Sequence, residues 1–348
     1  MDKRVLIVTD AWHPQVNGVV RTLAKLAEHT GAQGAELIFV TPGDFRTVAL
    51  PFSIDIRLAL ASKRQISRRI AEIAPDSVHI ATEGPLGWQA RGVCLAENIA
   101  FTTSYHTKFP EYVSARLPVP ESWLYGRLRD FHNSGQGMMV ATPSLEADLA
   151  RRGFSHIRRW TRGVDADFFS PDRRTEMDLP RPIFLCVGRV AVEKNLPAFL
   201  DLDLPGSKII VGDGPELAGL KARYPDAHFL GARSNDDLAG IYASSDVFVF
   251  PSRTDTFGNV LLEAMASGCP TAAFPVTGPI DVVGSGGVVA EDLREAALAA
   301  LEVPREAARA RAMEYSWPEC ARQFLSHLRP ARGTHVPQGE KAAYVVTS

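Results

Sequence analysis

Two carboxylates with seven residues between them, Asp255 and Glu263, stand in the run that joins the apolar stretch Val247-Phe248-Val249-Phe250 to a helical pattern. Their spacing places Asp255 in a strand-to-helix loop that turns through Phe257 and Gly258. Glu263 then sits about two turns into a helix starting near Asn259. Free backbone N–H groups at such a helix start can meet an anion. The carboxylates themselves are poor phosphate ligands but good acceptors for vicinal hydroxyls, which ribose and hexoses both carry. One short segment therefore offers partners for both ends of a sugar nucleotide.

Other residues extend the same chemistry. Gly188, Arg189 and Lys194 follow the stretch 183–187; the glycine clears space, and the two cations can neutralise a diphosphate, Arg as a two-pronged donor and Lys as a point charge. Gly18 stands at an earlier loop-to-helix junction, where the lack of a Cβ lets backbone N–H groups approach a phosphate. His106 follows the stretch 101–104, so it faces a cleft and can donate to a hydroxyl or carry a proton. Glu83, His13 and Tyr105 occupy comparable loops and are candidates for orienting an acceptor. The turn Gly212-Asp213-Gly214 lacks the Lys and Ser/Thr of a P-loop and the spacing of a dinucleotide fingerprint.

These loops need a scaffold, and the chain supplies one twice. Short β-branched runs at 5–8, 36–40, 77–80, 101–104 and 137–141 alternate with helical patterns, and runs at 183–187, 207–211, 227–230, 247–250 and 270–274 repeat the series. Such alternation predicts two α/β domains, each a doubly wound parallel sheet binding ligands at the carboxyl ends of its strands. The boundaries expected are an N-terminal domain over 1–165 and a C-terminal domain over 172–315, with a helix over about 316–328. The charged, Gly- and Pro-bearing stretch 158–171 is the expected connection, and 329–348, which lacks periodicity, is expected to be disordered.

With 348 residues, 45% hydrophobic and 22% charged, the chain can fill two ordinary cores. A net charge of −2 gives no global attraction to nucleic acid or to anionic membrane. Cys94, Cys186, Cys269 and Cys320 are scattered without a Cys-x-x-Cys, which suits buried thiols in a reducing compartment rather than bridges or zinc ligands. No metal site is expected, because protein cations can do the electrostatic work on a leaving diphosphate, and no cofactor beyond a co-substrate. No run is long enough for a signal peptide or a membrane span, so a cytoplasmic location is expected. Two stretches mix cations with apolar residues in the manner of interfacial helices, 63–70 with Lys63, Arg64, Arg68 and Arg69, and 108–129 with Phe109, Tyr112, Ala115, Arg116, Leu117 and Trp123.

The Asp255–Glu263 segment resembles the acidic-x7-acidic signature of family-4 glycosyltransferases, retaining enzymes of the two-domain GT-B fold. Its first acidic residue is Asp where the signature usually has Glu, which shortens the reach by one methylene. Gly188-Arg189 with Glu193-Lys194 resembles the family's Gly-Arg…Glu-Lys motif, and Arg162-Gly163-Val164-Asp165 its linker Asn-Gly-Val-Asp. The form Thr254-Asp255-Thr256-Phe257-Gly258-Asn259-Val260 is similar to the branch of lipid glycosyltransferases, including sulfoquinovosyl- and mannosyl-lipid synthases.

The resemblance implies that Arg189 and Lys194 stabilise the departing diphosphate, Glu263 holds ribose, Asp255 and His106 hold the hexose, and Gly18 lies near the phosphates. It further implies a nucleobase loop at Gly231-Ala232-Arg233, donor contacts from Phe257, Gly258 and Asn259, and a final helix that crosses back onto the N-terminal domain. The expected reaction moves a hexosyl or hexuronosyl group from a UDP-sugar to a lipid such as diacylglycerol, at the inner face of the plasma membrane. A GDP-mannose-dependent mannosyltransferase, acting on a lipid or a soluble glycan, is the alternative within the class, and a non-catalytic sugar-nucleotide-binding protein the alternative outside it.

Overall fold

The computed structural model describes residues 2–332 apart from 16, 51–52 and 115–116. The stretch 333–348, most of the tail expected to be disordered, thus lies outside the described residues, as do Ala115 and Arg116 of the second mixed stretch. In chain order the strands are β1 (Lys3–Val8), β2 (Ala35–Val40), β3 (Thr47–Leu50), β4 (Ser53–Ala59), β5 (Ser77–Ile80), β6 (Phe101–Ser104), β7 (Met138–Val140) and β8 (Ile157–Arg159). They continue as β9 (Ile183–Val187), β10 (Ser207–Val211), β11 (His228–Gly231), β12 (Val247–Phe250), β13 (Thr271–Ala273) and β14 (Gly287–Val289).

Two six-stranded sheets result, in the orders β2-β1-β5-β6-β7-β8 and β11-β10-β9-β12-β13-β14. Pairing within each is parallel, as in β1 with β2 and β5, and β9 with β10 and β12. Both faces of each sheet carry cores: Val5 and Ile7 pack on one side of β1 and Leu6 and Val8 on the other, with no exposure. Double-sided burial is what makes these strands read as unbroken apolar runs. The antiparallel pair β3–β4 stands outside both sheets.

Each strand order reverses beside its first strand, between β1 and β5 and between β9 and β12. Loops leaving the carboxyl ends there diverge and open a crevice. The loop after β9 carries Arg189 and Lys194, and the loop after β12 carries Asp255, so the topology alone brings these residues together.

Two chain crossings tie the halves. Val164 N–H donates to the Tyr315 carbonyl at 3.2 Å, and a Cβ on Gly163 would stand 2.4 Å from the Trp317 nitrogen. After the second crossing the helix Trp317–His327 lies on the first sheet, with Trp317, Cys320, Ala321 and Phe324 packed against Leu23, Leu26 and Trp160. The connection is therefore mostly buried rather than a loose linker.

The helix Lys63–Ile73 departs from the interfacial expectation. Its apolar residues Ile66, Ile70 and Ile73 are buried in the first core, and Arg68 and Arg69 pair with Glu72 and Asp44. A core-facing stripe with a paired, solvated basic face leaves this helix no apolar surface to offer a membrane. Among the described residues, no helix is long and apolar enough to cross one.

Candidate active site

Lys194 and Asp255 form the centre of the cleft. The Lys194 ammonium lies 2.9 and 2.8 Å from the two Asp255 oxygens and 5.9 Å from the Phe250 ring centroid. Burial works against the lysine's charge, but Asp255 beside it, with Tyr112 and Glu193 nearby, holds its pKa above the ordinary value. Lys194 ends a short 3-10 turn, Val192–Lys194, closed by Asn195 in the left-handed conformation, whose side chain donates to the Pro251 carbonyl at 3.0 Å. Arg189 is exposed on the same loop, with no carboxylate paired to it among the described residues.

The glycine turn after β10 serves this loop rather than a ligand. A Cβ on Gly212 would stand 1.8 Å from the Gly188 carbonyl oxygen, and one on Gly214 would stand 2.3 Å from that of Val190. The two loops lie backbone to backbone, with Gly188 N–H donating to Val211 and Val190 N–H to Asp213, both at 2.9 Å. Gly231, with φ 73°, closes β11 beside them, and Ala232 and Arg233 are exposed.

Opposite stands the helix Gly18–Thr30, whose first turn is capped by the Asn17 side chain accepting from Val19 and Val20 N–H. A Cβ on Gly18 would lie 3.8 Å from the Asn259 amide nitrogen, so the starts of the helices Gly18–Thr30 and Asn259–Ala266 face each other. Gly258, with φ 86°, makes the turn into the second helix in a conformation side chains rarely adopt. One turn further in, buried Glu263 takes the Arg21 guanidinium from the other sheet on Oε1 and the Tyr242 hydroxyl, at 3.2 Å, on Oε2.

His106 reaches the cleft through its backbone. Its carbonyl accepts from Thr256 Oγ1 at 2.6 Å, joining the histidine loop to the acidic loop next to Asp255. Its ring is held from both sides, Nδ1 3.2 Å from Arg162 Nη2 and Nε2 2.8 Å from Ser104 Oγ. A guanidinium only donates, so Nδ1 accepts and Nε2 carries the proton. Burial, then the Arg162 charge, pushes the imidazole well below its ordinary pKa. The ring is thus neutral and poorly placed to carry a proton, contrary to one role expected for it.

Arg162 is itself buried, over the Trp160 ring, donating to the Trp160 and Thr161 carbonyls at 2.7 and 3.0 Å. Burial lowers its pKa to about 10.

Two more expectations need correction. Tyr105 is not on the acceptor surface: it has no exposure and packs with Tyr125, Leu145 and Phe154. Phe257 is buried against Tyr315, ring centroids 5.9 Å apart, so its side chain belongs to the second core rather than to a donor contact. Tyr105 directly follows β6, where alternation turns its side chain into the fold, and Phe257 lies in the loop after β12 with its ring in the second core.

Glu83 lies in a cleft loop but is tied to buried His132, Nε2 to Oε1 3.0 Å, and His13 is exposed. The structure adds four residues to the site: Arg21, Arg162, Thr256 and Tyr112. Burial, followed by the charge of neighbouring Asp255, raises the phenol pKa of Tyr112. In the sequence Arg162 stood out as the departure from Asn in the linker motif, Thr256 lay within the acidic run and Tyr112 within the second mixed stretch, while Arg21 carried no signal.

Among the described residues no group of three or more His, Cys, Asp or Glu is placed to hold a metal ion.

Comparison with known proteins agrees with this geometry. Residues 16–168 match the model described as Glycosyltransferase Family 4, and residues 181–303 the one described as Glycosyl transferases group 1. The chain is 30% identical over 373 residues to a GDP-mannose-dependent alpha-mannosyltransferase of Mycobacterium tuberculosis, covering 96% of this chain and 98% of the relative. It is 30% identical to the sulfoquinovosyl transferase SQD2 of Arabidopsis thaliana, covering 77% of this chain and 58% of that one. Identity to the alpha-monoglucosyldiacylglycerol synthase of Acholeplasma laidlawii is 26%, over 77% of this chain and 79% of the relative. Among solved structures, sucrose-phosphate synthase from Thermosynechococcus elongatus superposes with a TM-score of 0.71 at 21% identity, covering 93% of this chain and 98% of that one. The fold is GT-B.

Proposed function

This chain belongs to the glycosyltransferases whose halves are described as Glycosyltransferase Family 4 and group 1, and we propose that it moves a hexosyl or hexuronosyl group, with retention, from a UDP-sugar to a membrane lipid such as diacylglycerol. One observation carries the reading. The Thr256–His106 hydrogen bond brings the histidine loop onto the acidic loop where Lys194 already holds Asp255. A hexose seated there meets groups from both sheets at once, and closure around it excludes water and limits donor hydrolysis.

The roles follow from the charges. Arg189 and Lys194 receive the leaving diphosphate, and Asp255, clamped on both oxygens, orients hexose hydroxyls rather than attacking carbon. Glu263 takes the ribose hydroxyls and the loop Gly231-Ala232-Arg233 the base. Neutral His106 contributes position. With no nucleophile assigned, same-face attack assisted by the leaving phosphate is the route this reading adopts, and it needs no cofactor beyond the nucleotide sugar. The lipid acceptor is supported by the name of the alpha-monoglucosyldiacylglycerol synthase among the relatives and by Phe109, Leu117 and Trp123, large apolar side chains of the second mixed stretch that are exposed.

A second reading, GDP-mannose as donor, is favoured by the mannosyltransferase that matches nearly end to end. A donor panel decides between them. Purified protein is given diacylglycerol in mixed micelles and, in turn, UDP-glucose, UDP-galactose, UDP-glucuronate and GDP-mannose, with EDTA present, and products are read by mass spectrometry. Glycolipid from a UDP-sugar supports the first reading and glycolipid from GDP-mannose alone the second. Slow donor hydrolysis without lipid product removes the acceptor assignment, and donor binding with no turnover on any acceptor favours a binding protein.

A further inference from the structure

Arg21 has an unusual place for a surface arginine. It stands on the first sheet's helix Gly18–Thr30, one turn from the residues that face Asn259, yet its guanidinium reaches buried Glu263 on the opposite side of the cleft. Only Nη1 is used in that contact. No partner for Nε or Nη2 is found among the described residues, and the side chain keeps 38% of its exposure. Glu263 lies four residues beyond Asn259, so the backbone that carries the carboxylate stands about 6 Å along the helix axis from the helix start. A carboxylate, a fork with free N–H groups and two facing helix starts thus share one side of the cleft, and Arg189 and Lys194 share the other.

We propose that Arg21 is a third diphosphate-binding cation, supplied by the first sheet and aimed by Glu263, so that one guanidinium bridges the ribose-binding carboxylate and the donor's phosphates. The proposal rests on the glycosyltransferase reading above. It gives the N-terminal sheet a charged hold on the donor besides the backbone at Gly18. Because the bridge spans both sheets, donor binding and cleft closure become one event.

Inorganic pyrophosphate is the probe, because it has no ribose for Glu263 to hold. Titration calorimetry compares Glu263→Gln with Glu263→Gln/Arg21→Gln at about 0.15 M salt, where charges beyond about 8 Å are largely screened. With the carboxylate neutral in both, Arg21 can act only on the phosphates, and its loss is expected to weaken binding about tenfold. Lys25→Gln, the same charge loss one turn along at a lysine paired with Glu28, is expected to leave affinity unchanged. Arg21→Lys should fall between Arg and Gln. Thermal midpoints confirm that each variant is folded.

Equal affinity with and without Arg21 would overturn the proposal and leave it an interdomain strut. A loss as large in Lys25→Gln would overturn it too, since general charge would then explain the effect. If the unmodified protein binds neither UDP, GDP nor pyrophosphate, the donor-site reading itself falls and Arg21 falls with it. UDP or GDP binding that survives in full without Arg21 removes Arg21 alone.

Discussion

His106 and His79 show how burial decides what a polar side chain can do. His79 is wholly buried between Thr102 and Ser104, 2.9 and 3.1 Å from their hydroxyls, and desolvation, then the neighbouring His132 and Arg162, pulls its pKa to about 3. His106 is displaced in the same direction. The unfolded chain protonates both near 6.5, the ordinary value, while the folded chain does not. Below that pH the unfolded state binds more protons, so stability present at neutral pH falls as pH falls. For His79 alone the loss is on the order of 2 kcal/mol by about pH 5. Urea midpoints should therefore drop between pH 7 and about pH 5, and by less in His79→Asn, measured against its own value at pH 7. A midpoint that does not change with pH would mean that these histidines titrate normally.

The Lys194–Asp255 pair makes a sharper prediction. Asp255→Asn leaves the lysine without its counter-charge and the hexose without a fixed acceptor. Turnover should fall by about a hundredfold, the scale for losing one electrostatic partner at a reacting centre, with circular dichroism unchanged. Lys194→Ala should lower kcat at least as much, and donor KM less. Wild-type turnover from either variant, in the assay that identifies the donor, would remove the pair from catalysis.

At the scale of elements, legibility follows burial. All ten strands predicted from short runs are present, most plainly β9 and β12, which lie inside their sheet and are apolar throughout because both faces are covered. The edge strands β8 and β14 give no such run: two of the three residues of Ile157-Arg158-Arg159 are charged, and Gly287-Val288-Val289 opens on a glycine. The β3–β4 pair stands outside both sheets, with Val48, Ala49 and Arg57 exposed. The site divides in the same way. Asp255, Glu263, Arg189 and Lys194 were legible because they share one loop system and a recognisable spacing. Arg21 reads as an ordinary solvated position in a helix's first turn, since nothing local reveals a partner 242 residues away.

The glycines test this scale. Gly212→Ala would drive a methyl into the Gly188 carbonyl at 1.8 Å, from a φ of 140°. Two backbones must part, so the cost should reach about 2 kcal/mol or more, and the loop bearing Arg189 should move with it. A lowered thermal midpoint together with raised donor KM is expected. Gly219→Ala, in the helix that follows, meets nothing within 4 Å and should be neutral or stabilising.

For the whole molecule, the proposed lipid acceptor raises the question of which surface would meet it. Net charge is −2, so a global field will not carry the protein to an anionic bilayer. The basic helix Lys63–Ile73 buries its isoleucines in the first core, which leaves attraction without insertion. Phe109, Leu117 and Trp123 are 50%, 56% and 60% exposed on the half that carries the acceptor loops, and Lys108 of the same segment reaches Thr277 of the other sheet at 3.2 Å. Through Lys108 the start of this segment reaches across the cleft, and it is there that the proposed lipid acceptor is expected to enter. Full burial of a large apolar side chain gives about 1.5–3 kcal/mol, so three half-exposed ones can supply a reversible anchor. Phe109→Ser/Leu117→Ser/Trp123→Ser should lower co-sedimentation with anionic liposomes at least tenfold. The same variant should keep its turnover on a detergent-dispersed short-chain acceptor. Lys63→Gln/Arg64→Gln/Arg68→Gln should change sedimentation only at low salt, as screened attraction does. If the serine variant still sedimented fully while the glutamine variant came free, charge on the basic helix would be the anchor, and the cleft-edge segment would have no part in reaching the membrane.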